Sequence, residues 1–229
     1  MGKEDTSLKV NMFWNFIGNL FYMATQWILT ILVVRLAGYS VSGEFALAIS
    51  VTNIFYAVAV YGMRNYQVSD IESQFSDLDY ILSRVVTNVF AVILCMLFCR
   101  LNSYSRQQCW IIFLYMLFKV SESFIDVFHG CIQKKWRLDL IGQSFLLRAF
   151  FNTLVFVVVL MLTDSLAISI FFMMVVSFSV LIFFDIRKGI GKWTSSDKVV
   201  LPKVMMLLKM VFPFAIYYCM INIIGTLPR

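Results

Sequence analysis

Long apolar runs broken by short polar segments dominate the chain. Seven of them fall at about Met12–Val34, Val41–Tyr61, Tyr80–Cys99, Cys109–Gly130, Phe145–Leu162, Leu166–Phe184 and Val204–Ile224. Each approaches the roughly 20 apolar residues a helix needs to cross a bilayer core. None alternates apolar and polar positions with period two, so strands are not expected. The pattern predicts an all-α integral membrane protein: a six-helix transmembrane bundle plus a seventh transmembrane helix.

Short turns are expected on one side, at Arg35–Ser40, Arg100–Gln108 and Thr163–Ser165. Longer loops are expected on the other, at Met63–Asp79, Cys131–Ser144 and Asp185–Lys203. The last of these is the only plausible linker. It divides the chain into a lobe over 1–185, a cytoplasmic linker over 186–203 and, over 204–229, the start of a second lobe. The chain therefore reads as the front part of a longer protein.

Composition sharpens the class. Apolar residues make up 61% of the chain and charged residues 14%, with 23 Phe and a mean hydropathy of +0.83. A soluble domain is roughly 45–50% apolar and about 25% charged, so lipid must cover the excess. The N-terminal segment lacks the short apolar core and small-residue cleavage site of a secretory signal.

Net charge is +6, but its position argues against nucleic acid. With the N-terminus inside, Lys3, Lys9, Arg64, Arg84, Lys134, Lys135, Arg137, Arg148, Arg187, Lys188, Lys192, Lys198 and Lys203 fall on the cytoplasmic side. Arg35, Arg100 and Arg106 fall outside. Thirteen against three is a positive-inside bias. It implies a multi-pass protein of the cell (cytoplasmic or inner) membrane with a cytoplasmic N-terminus. Arg84 and Arg100 are expected to snorkel to the two interfaces.

Cys95, Cys99, Cys109, Cys131 and Cys219 show neither metal-ligand spacing nor a disulfide framework. No phosphate loop or nucleophile motif appears, so neither metal, cofactor nor enzymatic activity is expected. His129, the only histidine, reads as a polar residue near the inner end of its helix, with proton relay as the alternative.

Polar side chains inside membrane spans usually face a bundle interior or a wet cavity. Asn11, Asn15, Asn19, Tyr22 and Gln26 share one face of the first helix at steps of three or four. They are either interhelical glue or one wall of a hydrated path. Lys119, Glu122, Asp126, His129 and Gln133 share a face of the fourth helix. Lys119 can pair with Glu122, which leaves Asp126 needing a cation from Arg148 or Arg64. A self-compensated network and a charged cavity both fit, and the cavity is the favoured reading.

Several stretches carry a resemblance. They are Arg35-Leu-Ala-Gly38, Gly43-Glu-Phe-Ala-Leu-Ala48, and Tyr61-Gly-Met-Arg-Asn-Tyr-Gln-Val-Ser-Asp70. Further on come Lys119-Val-Ser-Glu122, Asp126, His129-Gly-Cys-Ile-Gln133, Trp136-Arg-Leu-Asp-Leu-Ile-Gly142 and Arg148. This resembles the polysaccharide transporter branch of the multidrug/oligosaccharidyl-lipid/polysaccharide exporter superfamily, the Wzx-type O-antigen or capsule repeat-unit flippases. The likeness covers most of the first 150 residues.

It implies two six-helix lobes facing a central cavity, of which this chain holds one lobe and a seventh helix. It also implies movement of polyprenyl-pyrophosphate-linked oligosaccharides between leaflets by alternating access, in envelope (lipopolysaccharide) biosynthesis. Arg64, Lys119 and Arg148 suit the pyrophosphate, and Asn15, Asn19, Gln26 and Asn88 suit sugar hydroxyls. Glu122 and Asp126 either bind a coupling cation, H⁺ or Na⁺, or hold the arginines in place. The alternatives are a drug or small-solute antiporter, a polysaccharide polymerase or acyltransferase, and an inactive half-transporter.

Overall fold

The computed structural model describes residues 2–70, 72–189 and 201–226, with side chains described for 8–70, 72–189 and 201–221. The described residues are helical, with no strand among them. In order they form α1 (Gly2–Val60), α2 (Met63–Ser69), α3 (Asp77–Leu101), α4 (Arg106–Lys134), α5 (Leu138–Thr163) and α6 (Leu166–Val180). A π-helical turn (Leu181–Asp185), α7 (Ile186–Gly189) and α8 (Leu201–Thr226) follow.

Five helical segments are long and apolar enough to cross a membrane, at Leu8–Ser69, Asp77–Leu101, Leu138–Thr163, Leu166–Gly189 and Leu201–Ile221. More than half of each apolar window stays outside the core. Phe13, Phe16 and Trp27 are among many large apolar side chains left uncovered. So much exposed apolar surface suits lipid rather than water.

The first segment contains two of the predicted runs. They meet at Gly38, the one non-helical residue inside α1 (φ 82°, ψ 177°). That conformation is open essentially to glycine alone. A single residue thus replaces the turn expected over Arg35–Ser40.

The expected loop boundaries shift in three more places. Hydropathy starts the third and fourth helices at Tyr80 and Cys109, whereas they begin at Asp77 and Arg106. Reciprocal capping boxes set those starts, Ser76 with Asp79 and Ser105 with Gln108. The basic loop expected over Cys131–Ser144 shrinks to a turn at Lys135, Trp136 and Arg137. Arg148 therefore sits well inside α5, ten residues past its first residue and about 15 Å along its axis. Most of the expected linker over 186–203 lies outside the described residues.

α4 is the axis of the bundle, packed by α1, α3 and α6. α1 runs against α5, and α8 lies across α1, α3 and α2. Ser121 donates to Ser177 at 2.7 Å, tying α4 to α6. Ser123 donates to Asn88 at 2.7 Å, tying α4 to α3. The main apolar core joins Leu29, Val33, Phe45, Ile112, Tyr115, Phe118, Phe156 and Met173. Smaller clusters around Met63, Tyr80, Val127 and Leu207, and around Ile125, Phe128 and Leu181, lie further along α4.

Lipid tails are as apolar as leucine, so close backbone approach matters more than area buried. The tightest approach is between α1 and α5. A Cβ on Gly18 would overlap the Gly142 backbone, and one on Gly142 would overlap the Trp14 carbonyl. Backbone cannot move aside as a side chain can. Gly142→Leu is therefore expected to cost about 1–3 kcal/mol or more, read as a lower thermal midpoint of the purified protein.

After α2 the loop is pinned by Asp70, whose carboxylate accepts from the Gln74 amide (3.0 Å), the Tyr80 hydroxyl (2.9 Å) and the Phe75 amide (3.3 Å). Partial burial pulls its pKa up, but these bonds together outweigh burial and hold it below the ordinary 3.8. The stability it contributes is present above that ordinary value and lost as pH falls through the depressed one. Asp70→Asn should flatten the loss of thermal stability between about pH 6 and about pH 3.

Candidate functional site

The charged face of α4 lies between the apolar clusters. The main core ends on this helix at Phe118, and the next buried apolar residue is Ile125. Between and just beyond them stand two carboxylates four residues apart, each held by two cations.

Glu122 accepts from Lys119 Nζ at 2.7 Å and lies 3.6 Å from Arg148 Nη1. The Tyr22 hydroxyl donates to the same carboxylate. Arg148 also lies over the rings of Tyr22 and Phe145, at 4.7 and 4.9 Å from their centroids. Lys119 stands 5.0 Å from the centroid of Tyr56.

One turn on, Asp126 accepts from Arg84 Nη2 at 2.9 Å and from Arg64 Nη1 at 3.4 Å. Arg64 also donates to Gln133 Oε1, from Nη2 at 2.8 Å and from Nε at 3.2 Å. Arg84 is fully buried. Its Nη1 donates to the Ala59 carbonyl at 2.8 Å and to the Val60 carbonyl. It therefore grips the end of α1, where Tyr61 (φ 54°) and Gly62 (φ 61°) turn the chain into α2. The expectation that Arg84 snorkels to an interface is corrected: its partners lie inside the bundle.

At the far end of the face, His129 Nε2 lies 3.1 Å from Asp185 Oδ1, both buried. Asp185 closes the π-helical turn, where the Ile186 amide reaches back five residues to the Leu181 carbonyl. The extra residue in that turn re-aims the side chains that follow.

The structure thus gathers Arg64, Lys119, Glu122, Asp126 and Arg148 into one charged region made of two ion-pair clusters, Glu122 with Lys119 and Arg148, and Asp126 with Arg64 and Arg84. Asn88 lies beside it, buried, through its bond from Ser123. Gln26 is half-buried, with its amide nitrogen buried and unpartnered. Asn15 and Asn19 do not join: Asn15 lies by the Gly18–Gly142 crossing and Asn19 is exposed. Among the described residues neither side chain makes a hydrogen bond. Tyr22 joins from the polar face expected on the first helix, and Arg84, Tyr56 and Asp185 are additions. Arg84 was discoverable, because it stands four residues before Asn88 and so shares its face.

The balance of the cluster is cationic. Arg64, Arg84, Lys119 and Arg148 face Glu122 and Asp126. Buried atoms without partners include the donors Gln26 Nε2, Arg84 Nε, Asn88 Nδ2 and Arg148 Nε, and the acceptors Asp185 Oδ2 and Asn152 Oδ1. Such a site offers positive charge and N–H groups to a ligand rich in acceptor oxygens. No metal-binding group of three or more His, Cys, Asp or Glu exists among the described residues.

Compared with protein families, curated proteins and solved structures, the chain finds no match in any of the three. What the geometry defines is a helical chain with several helices apolar enough to span a membrane and a cationic polar region in its interior.

Proposed function

We propose that this chain belongs to a transporter that moves polyprenyl-pyrophosphate-linked oligosaccharides from the cytoplasmic to the outer leaflet during envelope polysaccharide synthesis. It sits in the cell membrane with its N-terminus in the cytoplasm. Arg84 and Arg148 leave the positive-inside count because they are buried, and the sign of the bias survives their removal.

One observation carries the reading: four cations share two carboxylates inside an apolar bundle, and the Nε groups of Arg84 and Arg148 are buried without partners. Burying uncompensated positive charge is costly. An anionic headgroup would offset that cost while bound, and its sugars would meet the remaining N–H donors. Glu122 and Asp126 each already lie between two cations. That supports a role in holding the basic groups rather than in taking up a coupling cation.

The test is translocation in proteoliposomes, with a lipid-linked oligosaccharide in the outer leaflet scored by loss of access to an external lectin. Wild type should clear the glycan faster than empty vesicles, and Arg148→Ala should not. Equal rates for wild type and empty vesicles would end the proposal.

A further inference from the structure

Below the charged region, between the end of α2 and the α4–α5 turn, lies a cavity of about 530 Å³. Val68, Asp70, Ser73, Gln133, Lys134, Trp136 and Leu138 line it, and its volume falls within the ordinary range for small-ligand sites. Two of its lining residues hold left-handed backbone without being glycine, Ser73 (φ 53°) and Trp136 (φ 58°). Trp136 takes the left-handed position that closes α4, where the Arg137 amide reaches back to the Ile132 carbonyl at 3.3 Å, an uncommon place for a bulky aromatic residue.

Trp136 is held in a defined place. Its amide donates to the Gln133 carbonyl at 2.9 Å, and its own carbonyl accepts from Asn11 Nδ2 at 3.2 Å. The backbone is thus tied at both ends while the side chain stays open, the residue being 70% exposed. An exposed indole at a cavity of mixed polar and apolar lining offers a stacking platform.

We infer that this cavity is a saccharide-binding site, with the Trp136 indole as platform and Gln133, Asp70 and Ser73 as hydrogen-bonding partners. One face of a sugar ring presents C–H groups, whose weakly positive hydrogens rest on the negative face of an aromatic ring. Its hydroxyls both donate and accept, so they need a mixed set of partners. That set is present. Gln133 Oε1 is occupied by Arg64, which leaves its NH₂ group as donor. The Asp70 carboxylate accepts, fixed in place by Gln74, Phe75 and Tyr80. The Ser73 hydroxyl does either.

A phosphate headgroup fits less well. The carboxylate of Asp70 stands in the wall, and Lys134, the cation there, has its ammonium 5.3 Å from the Tyr80 ring centroid. A tryptophan that merely anchors in the membrane interface needs no cavity walled by hydrogen-bonding side chains. The inference deepens the proposed transport reading and rests on it only for what brings a sugar here. Gln133 bridges the two regions, lining the cavity while accepting from Arg64. A glycan seated on Trp136 would present its pyrophosphate end toward Arg64.

The test uses the protein in phosphatidylcholine nanodiscs and a panel of free neutral saccharides: hexoses, 6-deoxyhexoses and N-acetylhexosamines. Binding is followed by saturation-transfer difference NMR. At least one sugar is expected to bind, with at least a ~tenfold loss in Trp136→Ala and partial retention in Trp136→Phe. Trp136→Gly should lose binding while keeping or raising the thermal midpoint, because glycine adopts φ 58° freely. A platform that mattered only for folding would lower that midpoint instead.

The inference is overturned if no sugar of the panel binds, or if Trp136→Ala and Trp136→Gly bind as wild type does. It is also overturned if the substitutions instead weaken association with phosphatidylglycerol vesicles, which would mark a lipid-headgroup site. Arg148→Ala should retain saccharide binding here, which separates this site from translocation. Sugar binding through Trp136 without translocation would keep the site and discard the transporter. Translocation indifferent to Trp136 would do the reverse.

Discussion

Asp126→Ala is expected to cost about 3–5 kcal/mol of stability, the usual cost of removing one partner from a buried ion pair. The reason lies in Arg84, whose fully buried guanidinium has Asp126 as its only carboxylate partner among the described residues, with further bonds to the Ala59 and Val60 carbonyls. Carbonyl dipoles at a helix end offset only part of a full charge. For a chain of this length the loss corresponds to a fall of about 6–20 °C in thermal midpoint. The purified variant in detergent would show it.

Arg64→Ala should cost much less, since Arg64 is more exposed and Asp126 keeps Arg84. The decisive control is the double variant Asp126→Ala with Arg84→Met. Removing both charges should recover much of the stability, because the penalty comes from the stranded cation and not from the missing pair. If the single and double variants melt together, the Arg84–Asp126 pair is not what holds the end of α1.

Arg148→Ala is expected to behave in the opposite way, sparing the fold and removing translocation. Glu122 retains Lys119 at 2.7 Å and the Tyr22 hydroxyl, so no carboxylate is left alone. A hydrogen bond to a charged group is worth about 1.5–3 kcal/mol, or roughly 10–150-fold in the rate if it forms at the bottleneck. Arg148→Lys restores the charge but not the flat guanidinium that lies over Tyr22 and Phe145. It should therefore recover only part of the rate. A variant set in which lectin-scored translocation tracks thermal stability one for one would reduce Arg148 to a packing residue.

The apolar runs were legible in the sequence as helices, although the run over Cys109–Gly130 is not among the segments apolar enough to cross a membrane, and the face of α4 from Lys119 to Gln133 was legible from its three- and four-residue steps. Helix starts were less so. Hydropathy sees where a run becomes apolar, whereas Ser76 and Ser105 begin the helices about one turn earlier by capping them. Polar residues at helix ends mislead in the same way: Lys134 and Asp139 belong to helices although they read as loop.

Partner choice was the least legible. Spacing marks Asp126 as a carboxylate in need of a cation, and names Arg64 correctly. It assigns Arg148 to the same task, but the packing of α5 brings Arg148 to Glu122 instead. Arg84 looks interfacial by its place near the start of an apolar run. Only the lie of α3 against the end of α1 turns it inward.

The π-helical turn at Leu181–Asp185 has a consequence for anyone editing this chain. An α-helix advances about 100° per residue, and a π turn absorbs one residue beyond the α-helical count. Deleting a single codon there would let the helix close into regular α geometry and swing everything beyond it by about a quarter turn. Asp185 would then leave His129, and α7 would carry Gly189 away from Lys135, which now donates to its carbonyl at 2.6 Å. An edit that looks trivial in a hydropathy plot would therefore unlock the C-terminal end of α6 from the rest of the bundle.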